Sequence, residues 1–262
     1  MRKAPRKFFP PLKNNRLAGR GILVTRPRAL ATGLATLIEQ SGGRAVLFPA
    51  IEIEDLPPPA ALQDLEAYDL AVFISPTAVQ KVMERVAAWP KRLRTAAVGS
   101  GTRRELERRG VSAVIAPESA ADSEALLALA ELERVAGQRV VIFRGGPGRS
   151  LLGDTLSARG AQVQYAECYR RTRPRSDPAP LLEAWARGAV HAVTVSSSEG
   201  IENLFALLGA PGEQRLRSTP LFVPHPRVGA HARQRGVREV VVGGAADDAL
   251  IERLVAYFNE LA

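Results

Sequence analysis

FISPTAV (73–79) and VSSSEGI (195–201) carry one pattern in two places. Each is an apolar run that ends in small hydroxyl residues and gives way at once to a helical pattern. The first lies within YDLAVFISPTAVQKVMERV, the second within VHAVTVSSSEGIENLFALL. With Ser75 placed on Ser197, Phe73 falls on Val195, Val79 on Ile201 and Val82 on Leu204. A strand that empties into a helix start leaves unpaired backbone N–H groups at the positive end of the helix dipole. Small hydroxyl side chains there let an anion come close. Two such starts in one chain predict two halves that face a shared anionic ligand.

The repeat extends outward from these turns. GILVTRP (21–27) matches VVIFRGG (140–146), with Arg26 on Arg144. Gly42 matches Gly160, each ahead of a long strand pattern. ELERRGVSAV (105–114) matches HARQRGVREV (231–240), and SAADSEALL (119–127) resembles GAADDALIE (244–252), with Asp122 on Asp247. The units keep one order through 20–137 and 138–262. Apolar strand runs alternate with helical periodicity at 29–40, 77–88, 178–187, 199–208 and 247–261, and 60–67 also looks helical. A strand and a helix share 111–132, with Asp122 or Ser123 available as N-cap. This alternation predicts an α/β fold with parallel sheets flanked by helices and right-handed crossovers. The long strands 44–56, interrupted at Pro49, and 161–172 hold equivalent places. If they pair as a connection, one lobe holds the chain ends and the other the middle. Two similar open sheets then predict a ligand site in the cleft between lobes.

At 262 residues the chain suits two domains of about 120 residues each. No apolar run nears the roughly 18 residues of a membrane span, and the N-terminus lacks a secretory apolar core. One cysteine, Cys168, excludes an internal disulfide and a cysteine metal cage, so a cytoplasmic protein is expected. The net charge of +9 is concentrated at one end: seven basic residues and no acid lie in 1–20, which leaves 29 basic against 27 acidic residues elsewhere. Residues 1–19 read as a disordered basic tail. It offers a surface for nucleic acid or an acidic partner, yet no nucleic-acid motif accompanies it, and a solvated extension is the better reading.

The other motifs narrow the chemistry. Arg26 and Arg144 end apolar strands, where a guanidinium can take a carboxylate bidentately or pair with a neighbouring acid. GGPGRS (145–150) lacks the Lys-Ser/Thr of a P-loop and reads as a tight turn. Gly99-Ser100-Gly101-Thr102 lacks the third glycine of a dinucleotide fingerprint. His191, His225 and His231 show no metal spacing, and only His225, between Pro224 and Pro226, is placed to reach a strand-end site. The serines at 196–198 have no nucleophile elbow, which disfavours hydrolysis. Tyr169, two residues after Glu167, carries a phenol able to donate a proton, although a strand tyrosine more often packs.

Taken in order, VTRP (24–27), FPAIEI (48–53), DLAVFISPTAV (69–79), AAVGSGTRREL (96–106), ARGAQVQYAECYRR (158–171), AVTVSSSEGI (192–201) and VVVGGAADDAL (240–250) resemble the uroporphyrinogen-III synthase family over roughly 20–260. The resemblance implies two α/β lobes joined by a two-stranded connector with an interlobe cleft: 20–48 plus 172–262, and 53–168, with 49–52 and 169–171 as connector. It implies a linear tetrapyrrole substrate, hydroxymethylbilane, with eight carboxylates. Water leaves the hydroxymethyl end, a spiro intermediate forms at the last ring, and re-closure inverts that ring. No metal or organic cofactor is implied. Tyr169 stands where the family carries a cleft tyrosine considered for proton donation. Ser75, Thr102, Ser196 and Ser197 match hydroxyls lining the family cleft, and Ser100, Arg26, Arg144, His225 and Arg227 complete the expected substrate contacts. Two positions depart: Ile74 replaces a frequent Thr, and Val228 replaces a hydroxyl for which Arg227 and His225 compensate. A monomer in transient contact with hydroxymethylbilane synthase, binding neither nucleic acid nor membrane, follows from the same resemblance. The rival reading is a non-catalytic two-lobed binding protein or sensor for an anionic small molecule.

Overall fold

The computed structural model describes residues 16–118, 122–146, 148, 150–244 and 246–260. The basic tail up to residue 15 lies outside the described residues, as do Pro147 and Arg149 of the glycine-rich turn. In chain order, β1 (Gly21–Val24), α1 (Arg28–Gln40) and β2 (Arg44–Leu47) precede β3 (Glu52–Asp55). Two short 3-10 turns occupy Ala60–Gln63 and Leu65–Ala67. β4 (Leu70–Phe73), α2 (Pro76–Met83), β5 (Arg94–Ala97), α3 (Ser100–Arg108), α4 (Ser123–Leu127) and α5 (Ala130–Glu133) follow. Next come β6 (Arg139–Gly145), α6 (Leu151–Ala158) and the long β7 (Gln162–Thr172). The chain ends with α7 (Ala179–Ala186), β8 (Ala192–Thr194), α8 (Ser198–Ser218), β9 (Leu221–Val223), α9 (Pro226–Gln234), β10 (Val240–Val242) and α10 (Asp247–Glu260).

These elements form two compact units, one running to Glu52 and resuming at Thr172, the other spanning Ile53–Arg171. The first unit holds the sheet β10-β9-β8-β1-β2, every neighbouring pair parallel. The second holds β3-β7-β6-β4-β5, with β7, β6, β4 and β5 parallel and Ile115 bridged to Ala96 beyond them. Numbered within its own repeat copy, each sheet takes its first two strands from one copy and its later strands from the other. The spatial order is then 2-1-3-4-5 in the first sheet and 3-2-1-4-5 in the second, both doubly wound arrangements whose order reverses beside strand 1. That switch point lies between β1 and β8 in the first unit and between β6 and β4 in the second.

Strand alternation divides the core into two layers per unit. In the first unit Leu23, Val193, Leu221 and Val223 pack under α7, α8 and α9, while Ile22, Val24, Ala192 and Phe222 pack under α1 and α10. In the second, Ala71, Phe73, Val141 and Phe143 face α2 and α3, while Leu70, Val72, Val140 and Ile142 face α4, α5 and α6. Some local expectations shift. The strand expected after Val111 shrinks to the Ile115 bridge, because Ala113 takes a left-handed φ of 54° and turns the chain. The helix expected over 199–208 resumes past Gly209 (φ 58°, ψ −169°), with Pro211 tolerated because it opens a new helical stretch.

Candidate functional site

In an open parallel sheet, ligands bind beyond the strand carboxyl ends at the switch point. In the second unit those ends deliver Ser75 after β4 and Arg144-Gly145 at the end of β6. Ser75 has extended φ/ψ of −159°, 156° and is the N-cap of α2, its Oγ accepting the Ala78 N–H at 3.1 Å. In the first unit Ser197 repeats this after β8: φ/ψ of −155°, 157°, and Oγ accepting the Gly200 N–H at 3.1 Å. The two keystone turns are thus conformationally matched. Each serine commits one lone pair to its own helix and keeps one donor and one further acceptor site.

Tyr169 joins Ser75 through an irregularity. Arg144 pairs with Glu167, but the next β6 residue, Gly145, pairs with Tyr169, so β7 carries one extra residue there. Strict alternation would put Tyr169 on the face of Tyr165 and Glu167. The bulge turns it instead into the layer of Phe73, Phe143 and Cys168, where it is 1% exposed. Its hydroxyl lies 2.9 Å from Ser75 Oγ. The ring covers Gly145 so closely that a Cβ there would fall 2.1 Å from its Cζ. Beside it, burial pushes the Cys168 thiol up to about 12.

The two arginines leave their sheets on the opposite face from the capping serines. Arg144 Nη2 donates to Glu167 Oε1 at 3.0 Å and its guanidinium lies 4.0 Å from the Tyr165 ring centroid, while its buried Nε has no hydrogen-bond partner among the described residues. Arg26 pairs through Nη1 with Asp247 at the start of α10. The acids that hold them, Glu167 and Asp247, are visible in the sequence as a strand neighbour and a repeat match but carry no expected role there. Two threonines also escape the sequence reading: Thr25 Oγ1 donates to the Thr194 carbonyl at 2.8 Å, and Thr194 Oγ1 to that of Leu23 at 3.0 Å, which locks β1 to β8 at the switch point.

The remaining expected residues line helix starts. Ser100 is exposed at the first turn of α3, whereas Thr102 is 5% exposed and faces inward. Ser196 is exposed just ahead of Ser197. His225 is the N-cap residue of α9 without a side-chain capping bond, and it is exposed together with Arg227. Val228, between them and the rest of α9, is buried in the core. Among the described residues no group of three or more His, Cys, Asp or Glu is placed to hold a metal, and no helix is long and apolar enough to cross a membrane.

A sequence model of the family described as uroporphyrinogen-III synthase HemD matches residues 32–252. The uroporphyrinogen-III synthase of Escherichia coli K12 is 35% identical over 243 residues, covering 89% of this chain and 99% of that one. Two solved structures share the fold. The uroporphyrinogen-III synthetase of Helicobacter pylori 26695 has a TM-score of 0.62 at 12% identity, over 91% of this chain and 99% of that one. A mutant uroporphyrinogen III synthase of Thermus thermophilus has a TM-score of 0.57 at 21% identity, over 92% and 98%.

Proposed function

We infer what this chain does from the fact that it belongs to the uroporphyrinogen-III synthase family. It is a cyclising lyase of tetrapyrrole biosynthesis: it closes linear hydroxymethylbilane, inverts the last pyrrole ring and releases water. The family match over nearly the whole length of the E. coli relative carries this reading.

The roles of individual residues are the finer part of the proposal. The unaided bilane closes without inversion, so the protein's task is to hold one conformation and to help hydroxide depart. Tyr169 is the proton source for that departure. Ser75, Ser100, Thr102, Ser196 and Ser197 offer hydroxyls to the substrate carboxylates, and Arg26, Arg144, His225 and Arg227 offer cationic or N–H groups. Arg26 and Arg144 already hold acids, so binding a carboxylate there means exchanging one partner for another; each such charged hydrogen bond is worth about 1.5–3 kcal/mol. The chain acts as a monomer in the cytoplasm, in transient contact with hydroxymethylbilane synthase, which would shorten the free life of a self-cyclising substrate.

The test is a coupled assay in which hydroxymethylbilane is generated in situ, the product is oxidised, and the uroporphyrin isomers are separated. Predominantly isomer III is expected. Isomer I alone, from folded protein, would leave a non-catalytic anion-binding protein as the better account.

A further inference from the structure

Three features of the second unit converge on one hydroxyl. The Tyr169 ring is sealed in the core at 1% exposure, so its phenol reaches outward through its neighbour. That neighbour, Ser75 Oγ at 2.9 Å, is half-buried at the end of β4. Ser75 Oγ already accepts the Ala78 N–H, which leaves it one lone pair and its own proton. If the phenol donates into that lone pair, the serine proton is free to point away from the core. The matching turn of the first unit is built differently. Arg26 to Arg144 and Gly42 to Gly160 are both offsets of 118 residues, and the same offset places Ile51 at the position of Tyr169. Ile51 lies beside the start of α8, its Cδ1 3.8 Å from a Cβ built on Gly200. The repeat supplies two capped turns, and only the Ser75 turn has a phenol at this position.

Building on the reading above, we propose that Ser75 is the catalytic residue that hands a proton to the departing hydroxyl, and that Tyr169 acts through it as a positioning and proton-supplying residue. As the C–O bond of the hydroxymethyl group breaks, its electron pair stays on oxygen, which takes the Ser75 proton and leaves as water. The Tyr169 proton moves to Ser75 Oγ. The resulting phenolate keeps a charge-assisted hydrogen bond from the restored serine hydroxyl. Ring closure later releases one proton from the substrate, which returns along the same path. No oxidant or reductant takes part. Gly145 is the structural condition for this relay, since any side chain at that position would occupy the space of the ring.

The relay is tested with Ser75→Asn, Ser75→Thr, Tyr169→Phe and the Ser75→Asn/Tyr169→Phe double variant in the full chain, measuring kcat, KM, thermal midpoint and isomer ratio. Asparagine caps a helix about as well as serine but lacks the acidic hydroxyl, whereas threonine retains both functions. The relay predicts that Ser75→Asn and Tyr169→Phe each lower kcat about 100-fold with little change in KM, and that the double variant is no worse than either. Ser75→Thr recovers most of the loss, and Ser75→Asn keeps the wild-type midpoint. A Tyr169→Phe loss with Ser75→Asn close to wild type would overturn the relay and leave a directly acting tyrosine. Multiplicative losses in the double variant would overturn it as well. Isomer I alone from the unaltered chain would remove the underlying reading, and the relay with it.

Discussion

Cys168 and Tyr169 are adjacent buried side chains with opposite prospects. Burial pushes the thiol up to about 12, and the charge of Arg85 offsets only part of that rise. Iodoacetamide at pH 8 should therefore leave the native chain unlabelled and label it fully in denaturant; labelling of the native protein would contradict this burial. The phenol instead has Ser75, and it owes that partner to the bulge opposite Gly145. Gly145→Ala would drive a methyl group into the ring, so we expect a loss of about 1–3 kcal/mol in denaturant unfolding. This part of the site is not legible in the sequence. Period-two counting puts Tyr169 beside Glu167, and no residue type announces an extra residue in a strand. Gly145 reads as part of a glycine-rich turn, yet its use is to make room for a ring.

Helix starts are the most legible elements, because capping is local chemistry. The serines at 75 and 197 align by sequence, and both prove to cap with the same geometry. Ser197→Ala should cost about 1 kcal/mol and Ser197→Asn little. Ser75→Ala should cost more in the same unfolding experiment, because it also leaves the buried Tyr169 hydroxyl without its partner. Equal costs at the two positions would contradict the extra bond. Strand starts hold a different dependence. His191 Nδ1 accepts the Gly21 N–H at 2.9 Å, which requires the neutral ring. Burial, and then Arg20 and Arg44, hold its pKa below the ordinary imidazole value of about 6.5. A folded-state pKa that is depressed gives stability above the unfolded value and loses it as pH falls. Between pH 7 and 5 the thermal midpoint should fall more steeply for the native chain than for His191→Asn; parallel curves would count against the bond. Short strand ends are less legible, since Ala113 turns the mostly apolar run 111–116 through a backbone angle that its side chain does not signal.

The duplicated sequence gives two similar sheets, but neither sheet belongs to one copy. The alternation of strands and helices is readable because each element carries its own period. Which strands become neighbours depends on contacts far apart in sequence, and the long runs around Pro49 and Tyr169 are the only local hint of the exchange. Residues 53–171 contain one whole sheet and both of its core layers. Expressed alone, this stretch should unfold cooperatively with α/β circular dichroism. The repeat copy 20–137, which contains pieces of both sheets, should not; cooperative unfolding of that half would refute the exchange. The same exchange sets a schedule on the ribosome. β1 pairs with β8, so Ile22 waits for Ala192, and 145 residues are added after Leu47 before that neighbour emerges. At about 5–20 residues per second the wait is about 7–30 s. The contiguous unit can close during that interval, while the apolar face of the first strands and α1 is still without its sheet. A nascent chain of this protein should therefore engage chaperones chiefly through its first fifty residues.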